Sequence, residues 1–228
     1  MCFSVTASFT AAAVLVPAGI YCVKKAAGLE KAYWLFALMP VMFGIQQFFE
    51  GLVWLGMQPD EGGSVLFAAR GYLFFSHFFW LFWIPLSSYA VEDNTVRRKM
   101  YFFLAIVGAL HGSLMYVPLL FNEDWVTVKL VGHSLKYKMV LFHEDYLPLL
   151  ARNFLYAVLT LVPLLSATDR YIKIFGLLIV ISLAITNFYF EHAFVSVWCF
   201  FAAILSFYLV VMIIIKTRVN ESRQMAGV

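Results

Sequence analysis

The chain has 228 residues, 63% of them hydrophobic and only 13% charged, with a formal net charge of +3 and a mean hydropathy of +0.86. A soluble domain is roughly half apolar and a quarter charged, so this composition excludes one and indicates an integral membrane protein. The small positive excess does not point to nucleic acid, because the basic residues flank repeated apolar runs of about 20 residues, the length of a membrane-spanning helix and not of a barrel strand.

Taken in order, the first span runs from about Ser4 to Val23 and ends at Lys24, Lys25 and Lys31. No basic segment precedes it, so it reads as a span and not as a cleavable signal peptide. The second covers about Tyr33 to Met57, with Pro40 as a kink, and stops at the turn-forming QPDEGG. The third, about Val65 to Ala90, carries Arg70, His77 and Pro85 and is followed by the charged linker EDNTVRRK. The fourth, about Met100 to Phe121, contains Gly108, His111 and Gly112, where small residues allow close helix approach.

Between the fourth and fifth spans, residues 122–146, the period changes from helical to alternating. Val126, Val128 and Leu130, then Leu135, Tyr137 and Met139, interleave with Thr127, Lys129, Lys136 and Lys138. This predicts a β-hairpin turning at Gly132-His133, one face apolar and one wet, lying against the mouth of the bundle or the membrane interface, where it could act as a lid. The fifth span, about Leu147 to Ala167, opens with Arg152 and Asn153; the sixth, about Tyr171 to Phe190, ends near Asn187, Glu191 and His192. The last, about Phe194 to Ile215, includes Ser196, Trp198 and Cys199 and exits into a polar tail over 217–228. The fold class is therefore all-α, a seven-transmembrane helical bundle in a single membrane domain spanning 1–228.

Orientation follows from Lys24, Lys25, Lys31, Arg97, Arg98, Lys99, Arg170, Lys173, Lys216, Arg218 and Arg223, eleven of the sixteen Lys and Arg, which share one side. The positive-inside rule makes that side cytoplasmic, with the C-terminal tail there and the N-terminus and hairpin outside. The chain is expected in a cell membrane as a multi-pass protein, a bacterial inner membrane in particular. The cysteines Cys2, Cys22 and Cys199 show no pairing or CxxC pattern, so no disulfide framework or thiolate zinc site is indicated.

Glu50 is the residue that asks for a reason, a carboxylate inside an apolar span. Gln46 and Gln47 lie one turn before it and Trp54 one turn after, so the polar groups share a helix face. At about 1.5 Å per residue Glu50 lies roughly 10 Å below the outer end of its span, Arg70 slightly shallower, and His77 and His111 both roughly 15 Å deep. Arg152, Asn153 and Asn187 fall nearer the outer surface. Two readings of this outward-facing set stand open. Glu50 and Arg70 form a buried ion pair that fixes helix register, or the set is chemical, with Glu50, His77 and His111 as metal ligands and catalytic groups, zinc being one candidate metal beside iron and copper. In the second case Arg70, Arg152, Gln46, Gln47, Asn153 and Asn187 are the substrate-binding residues.

MCFSVTASF at the start, FGIQQFFEG in the second span and SVWCFFAA in the seventh resemble a family of small, mainly bacterial polytopic membrane proteins that open with Met-Cys-Phe-Ser. That resemblance implies a membrane location and no chemistry, and marks Cys2, Ser4, Gln46, Gln47, Glu50, Trp198 and Cys199 as motif positions. In architecture the chain is also similar to the seven-span intramembrane zinc hydrolases, which use three His with a Ser and an Asp; the His-x-x-x-His pair those carry on the last span is missing here. The expected function is a metal-dependent enzyme, an intramembrane hydrolase, acting on a lipid or another membrane-held substrate. The alternatives are a small-molecule-binding or sensory membrane module and, further off, a transporter or a haem protein using His77 and His111. The bilayer is the one partner the sequence names, with no sign of oligomeric state.

Overall fold

The structure, a computed structural model, describes residues 4–29, 32–58, 65–131, 134–140, 149–189 and 194–225, those at 149–153 by backbone alone. Helix α1 covers Val5–Ala26, and Ser4 caps it by accepting the Ala7 N–H at 3.2 Å. The second span is divided into a short α2 at Trp34–Ala37 and α3 at Met39–Gly56. Pro40 sits in the first turn of α3, where its missing N–H is tolerated, and Trp83 Nε1 donates to the Leu35 carbonyl at the break (3.1 Å).

The third span is α4 at Val65–Phe74, a π-helical turn at Phe75–Phe79 and α5 at Trp80–Val91. The widened turn is not signalled by composition. Pro85 within α5 has no N–H to offer the Leu81 carbonyl, and α6, Thr95–Phe121, crosses at that carbonyl through Gly108, where any Cβ would overlap it. One turn on, a Cβ at Gly112 would lie 2.9 Å from the Phe78 Cα. The segment TVRRK, which reads as linker, is instead the first turn of α6: Asn94 Oδ1 accepts from the N–H groups of Val96 (3.1 Å) and Arg97 (3.0 Å).

A short 3₁₀ turn at Glu123–Trp125 leads into the hairpin, β1 at Val126–Val131 and β2 at Ser134–Met139. The antiparallel register pairs Val126 with Met139, Val128 with Tyr137 and Leu130 with Leu135, so the apolar set lies on one face as alternation predicts. The turn at 132–133 lies outside the described residues. Beyond it come α7 at Leu149–Leu165, α8 at Arg170–Tyr189, α9 at Phe194–Leu205 and α10 at Phe207–Met225. The α9–α10 junction is at Ser206, whose hydroxyl donates to the Ala203 carbonyl (2.6 Å), and α10 carries the polar tail onward as helix.

Among the described residues six helices are long and apolar enough to cross a membrane: Val5–Ala26, Trp34–Gly56, Val65–Val91, Thr95–Phe121, Arg170–Tyr189 and Phe194–Met225. Helix α7, with 17 residues, is a further apolar helix of shorter length. Helix α6 shows the lipid-facing arrangement. Phe103, Ile106, Leu110, Leu114, Val117 and Phe121 are exposed along one stripe, while Tyr101, Ala105, Gly108, Gly112, Met115 and Leu119 are buried on the other. A continuous stripe of large apolar side chains outward, with Ala105, Gly108 and Gly112 admitting neighbours on the inner face, is the pattern of a helix whose solvent is hydrocarbon.

Two packed regions result. The larger core gathers Phe36, Phe43, Trp80, Leu164, Phe175, Trp198 and Met212 from most of the helices. The second unites the hairpin with one end of the bundle: Val53, Trp54, Tyr72, Leu119, Val126, Leu135, Tyr137 and Cys199. Tyr137 stacks on Tyr72 with ring centroids 4.8 Å apart and planes 6° from parallel, so the hairpin is docked on α4 and α9.

Candidate functional site

Three elements build the site. Helix α3 presents Gln46, Gln47 and Glu50, all 0% exposed, from one face toward α9. Ser196, in the first turn of α9 and also 0% exposed, donates its hydroxyl to Glu50 Oε1. Gln47 lies beside the same carboxyl. Gln46 Oε1 accepts from Trp80 Nε1 (2.9 Å), a ring stacked on Phe43 at 3.9 Å, which fixes the α3–α5 contact. The other carboxyl oxygen, Glu50 Oε2, is buried with no hydrogen-bond partner among the described residues, as are Trp54 Nε1, Trp198 Nε1 and Ser8 Oγ. Ser8 belongs to the buried face of α1, and the antiparallel α1–α3 contact, with Val16 on Gly44 and Phe9 on Gly51, sets it level with the Glu50 turn.

One turn beyond Ser196, Cys199 is buried next to Tyr72 and Gln46. It joins Trp198, Trp80, Phe43, Phe175 and Tyr156 in lining an apolar cavity of about 30 Å³. Tyr156 also donates its hydroxyl to the Ser76 carbonyl (2.8 Å) in the π turn, where helical hydrogen bonding is disturbed.

Arg70 does not face Glu50. Its Nε donates to the Leu119 carbonyl at 2.8 Å, one of the last four carbonyls of α6, which have no donor inside the helix. The guanidinium therefore acts as a cap at the negative end of α6, and among the described residues no cation stands within ion-pair distance of Glu50. The expected structural ion pair is replaced by two separate interactions.

His77 is buried in the π turn with Nδ1 2.8 Å from Ser76 Oγ, and His111 is half-buried on α6. Among the described residues no group of three His, Cys, Asp or Glu side chains is placed to hold a metal ion. Glu50, His77 and His111 are thus not drawn together as the anticipated ligand set. Equal depth along three helices does not make their side chains converge: Glu50 turns toward α9, while His77 is tied to its own turn. Asn187 is exposed on the last turn of α8. The side chains of Arg152 and Asn153 lie outside the described residues, as do Cys2, His133, His143, Glu191 and His192.

Sequence reasoning missed Ser196, Tyr72 and Tyr156 as members of this region. The signal available for Ser196 was a lone hydroxyl in SVWCFF, the most apolar stretch of the chain, three residues before Cys199.

At the end where the basic residues lie, the carboxyls of Asp169 and Glu92 each gather several donors, although the Ser88 and Tyr208 hydroxyls there have no hydrogen-bond partner among the described residues. Asp169 pairs with Lys216 Nζ at 2.5 Å and accepts from the Tyr33 hydroxyl (2.8 Å) and the Tyr171 N–H (2.8 Å). Glu92 accepts from the Thr168 N–H (2.8 Å), the Thr168 hydroxyl and the Asn94 N–H (3.0 Å). Burial acts to raise both carboxyls, yet these hydrogen bonds, with the Lys216 charge for Asp169 and the Arg97 charge for Glu92, hold them below the ordinary carboxylate value. Burial, and then the bond to Asp169, pushes the Tyr33 hydroxyl well above its usual range.

No curated protein and no solved structure matches the chain. A family of unknown function, DUF6629, matches it over residues 1–226, and this multi-pass membrane chain belongs to that family.

Proposed function

We propose that the chain is a membrane-embedded binding module that takes a small hydrogen-bonding ligand at Glu50, with Gln46, Gln47 and Ser196 as its neighbours. One observation carries this reading: a fully buried carboxyl has one oxygen bonded to Ser196 and the other, Oε2, with no partner among the described residues. A buried polar atom left unsatisfied costs about 1–3 kcal/mol, and a ligand donor placed there removes that cost. The metal-dependent hydrolase is set aside in favour of this alternative, because the described residues supply a carboxyl, amides and hydroxyls but no three-ligand group. The distribution of basic residues supports an outward-facing site under the hairpin, with α3 and α9 running from it toward the cytoplasmic side.

The test is extraction of small molecules from protein purified in mild detergent, with identification by mass spectrometry. A molecule near one-to-one stoichiometry in the wild type and depleted about tenfold or more in Glu50→Gln is expected, since leaving a buried polar group of the complex without its partner costs about 1–3 kcal/mol. Identical extracts from the two proteins would end the reading.

A further inference from the structure

The hairpin register sets Lys129 directly opposite Lys136, and Thr127 opposite Lys138. All three lysines are exposed on the face turned away from the bundle, and among the described residues none has an acidic partner within ion-pair distance. Like charges facing each other across an antiparallel pair are destabilising, so this arrangement does not serve the fold of the hairpin itself. The acidic residues nearest in sequence, Glu123 and Asp124, belong to the 3₁₀ turn at the base of the hairpin, while Lys129 and Lys136 lie near its tip.

The two strands are also unequal. On β2, Ser134, Leu135 and Tyr137 are buried, so this strand carries the docking onto the bundle. On β1 the outer half, Lys129, Leu130 and Val131, is exposed, with Leu130 at 53% and Val131 at 37%. Amines with Val131 on one face, and an uncovered Leu130 near the tip on the other, on a strand held at the end of membrane-crossing helices, have the composition of a segment that rests in the headgroup region.

We propose that this hairpin docks on anionic lipid headgroups of the membrane in which the helices are set, through Lys129, Lys136 and Lys138, with Leu130 and Val131 entering the interface. The choice of a lipid surface over a soluble acidic partner rests on the exposed Leu130 and Val131, which a purely electrostatic contact would leave in water. Each lysine near an anionic surface contributes about a fivefold preference for the docked state.

Hydrogen exchange of the hairpin amides, followed by mass spectrometry on full-length protein in nanodiscs, tests this. Discs of phosphatidylcholine alone are compared with discs containing about 30% phosphatidylglycerol. Exchange over residues 126–139 is expected to slow by at least about fivefold in the anionic discs and to recover at about 1 M salt, where the screening length falls to roughly 3 Å. The triple variant Lys129→Gln, Lys136→Gln, Lys138→Gln should lose the lipid dependence, and the corresponding triple Lys→Arg variant should keep it. The α6 amides report that each variant is folded. Equal exchange in both discs, or a lipid dependence that survives the triple Gln variant, overturns the proposal. Slowing by added polyglutamate without any response to anionic lipid overturns it too, in favour of a soluble acidic partner.

Discussion

The two ends of the bundle partner their carboxyls in different ways. At the end bearing most of the basic residues, Asp169 and Glu92 each collect several donors from different segments, and Lys216 is further held over the rings of Tyr33 (4.6 Å) and Tyr171 (5.2 Å). At the hairpin end, Glu50 has a hydroxyl for one oxygen and nothing among the described residues for the other, and indole and hydroxyl donors around it are likewise unmatched. At the first end the carboxyls are satisfied and cross-link separate segments, while the Ser88 and Tyr208 hydroxyls are the unmatched groups among the described residues. At the second end the described residues leave one carboxyl oxygen and several donors unmatched, and that is where the proposed ligand would bind.

The comparison can be broken most directly at Asp169. Asp169→Ala leaves Lys216, the Tyr33 hydroxyl and the Tyr171 N–H without their acceptor, and a loss of about 3 kcal/mol is expected, read as a fall in Tm of roughly 5–10 °C. An unchanged Tm would show that this network does not hold the helices together. A middle-sized effect is expected from acid. The Glu92 carboxyl is depressed in the folded state, so its contribution is present above the ordinary value of about 4.3 and is lost as pH falls through the folded value. Below about pH 4 the Tm of the wild type should therefore fall more steeply than that of Glu92→Gln. Parallel curves would remove Glu92 from the account.

The smallest effect sharpens the contrast most. Glu50→Gln keeps an acceptor for Ser196 and offers an amide in place of the unmatched oxygen, so its stability should lie within about 0.5 kcal/mol of wild type, or above it. A loss comparable to that of Asp169→Ala would place Glu50 in a structural network and dissolve the distinction between the two ends.

Much of the architecture was legible from local chemistry. Apolar runs bounded by Lys and Arg located the spans, and the alternation through Val126, Val128 and Leu130 located the two strands of the hairpin. Pro40 announced the break between α2 and α3. The first turn of α6 was hidden because TVRRK looks like linker; the capping role of Asn94 decides the matter, and it depends on three residues acting together. The π turn was hidden for a similar reason, since FSHFF is as compatible with an ordinary helix.

The candidate site was legible only in part. Glu50, Gln46 and Gln47 could be singled out because an ionisable or amide side chain in hydrocarbon is costly wherever it points. What each of them meets could not be read, because depth along a helix is one coordinate and direction around it, set by packing, is another. Arg70 and His77 lie near the depth expected of partners for Glu50, yet Arg70 caps α6 at Leu119 and His77 stays with Ser76.

By itself, then, the sequence determined that this protein is membrane-embedded, where its helices and hairpin lie and which residue is out of place, all consequences of hydrophobic period and of the cost of charge in lipid. Packing in three dimensions is what brings Ser196 to Glu50, sets Arg70 at a helix end and lays the hairpin over Tyr72. Those contacts join residues more than a hundred positions apart, or turn on rotations about helix axes, and side-chain packing across the bundle alone selects them.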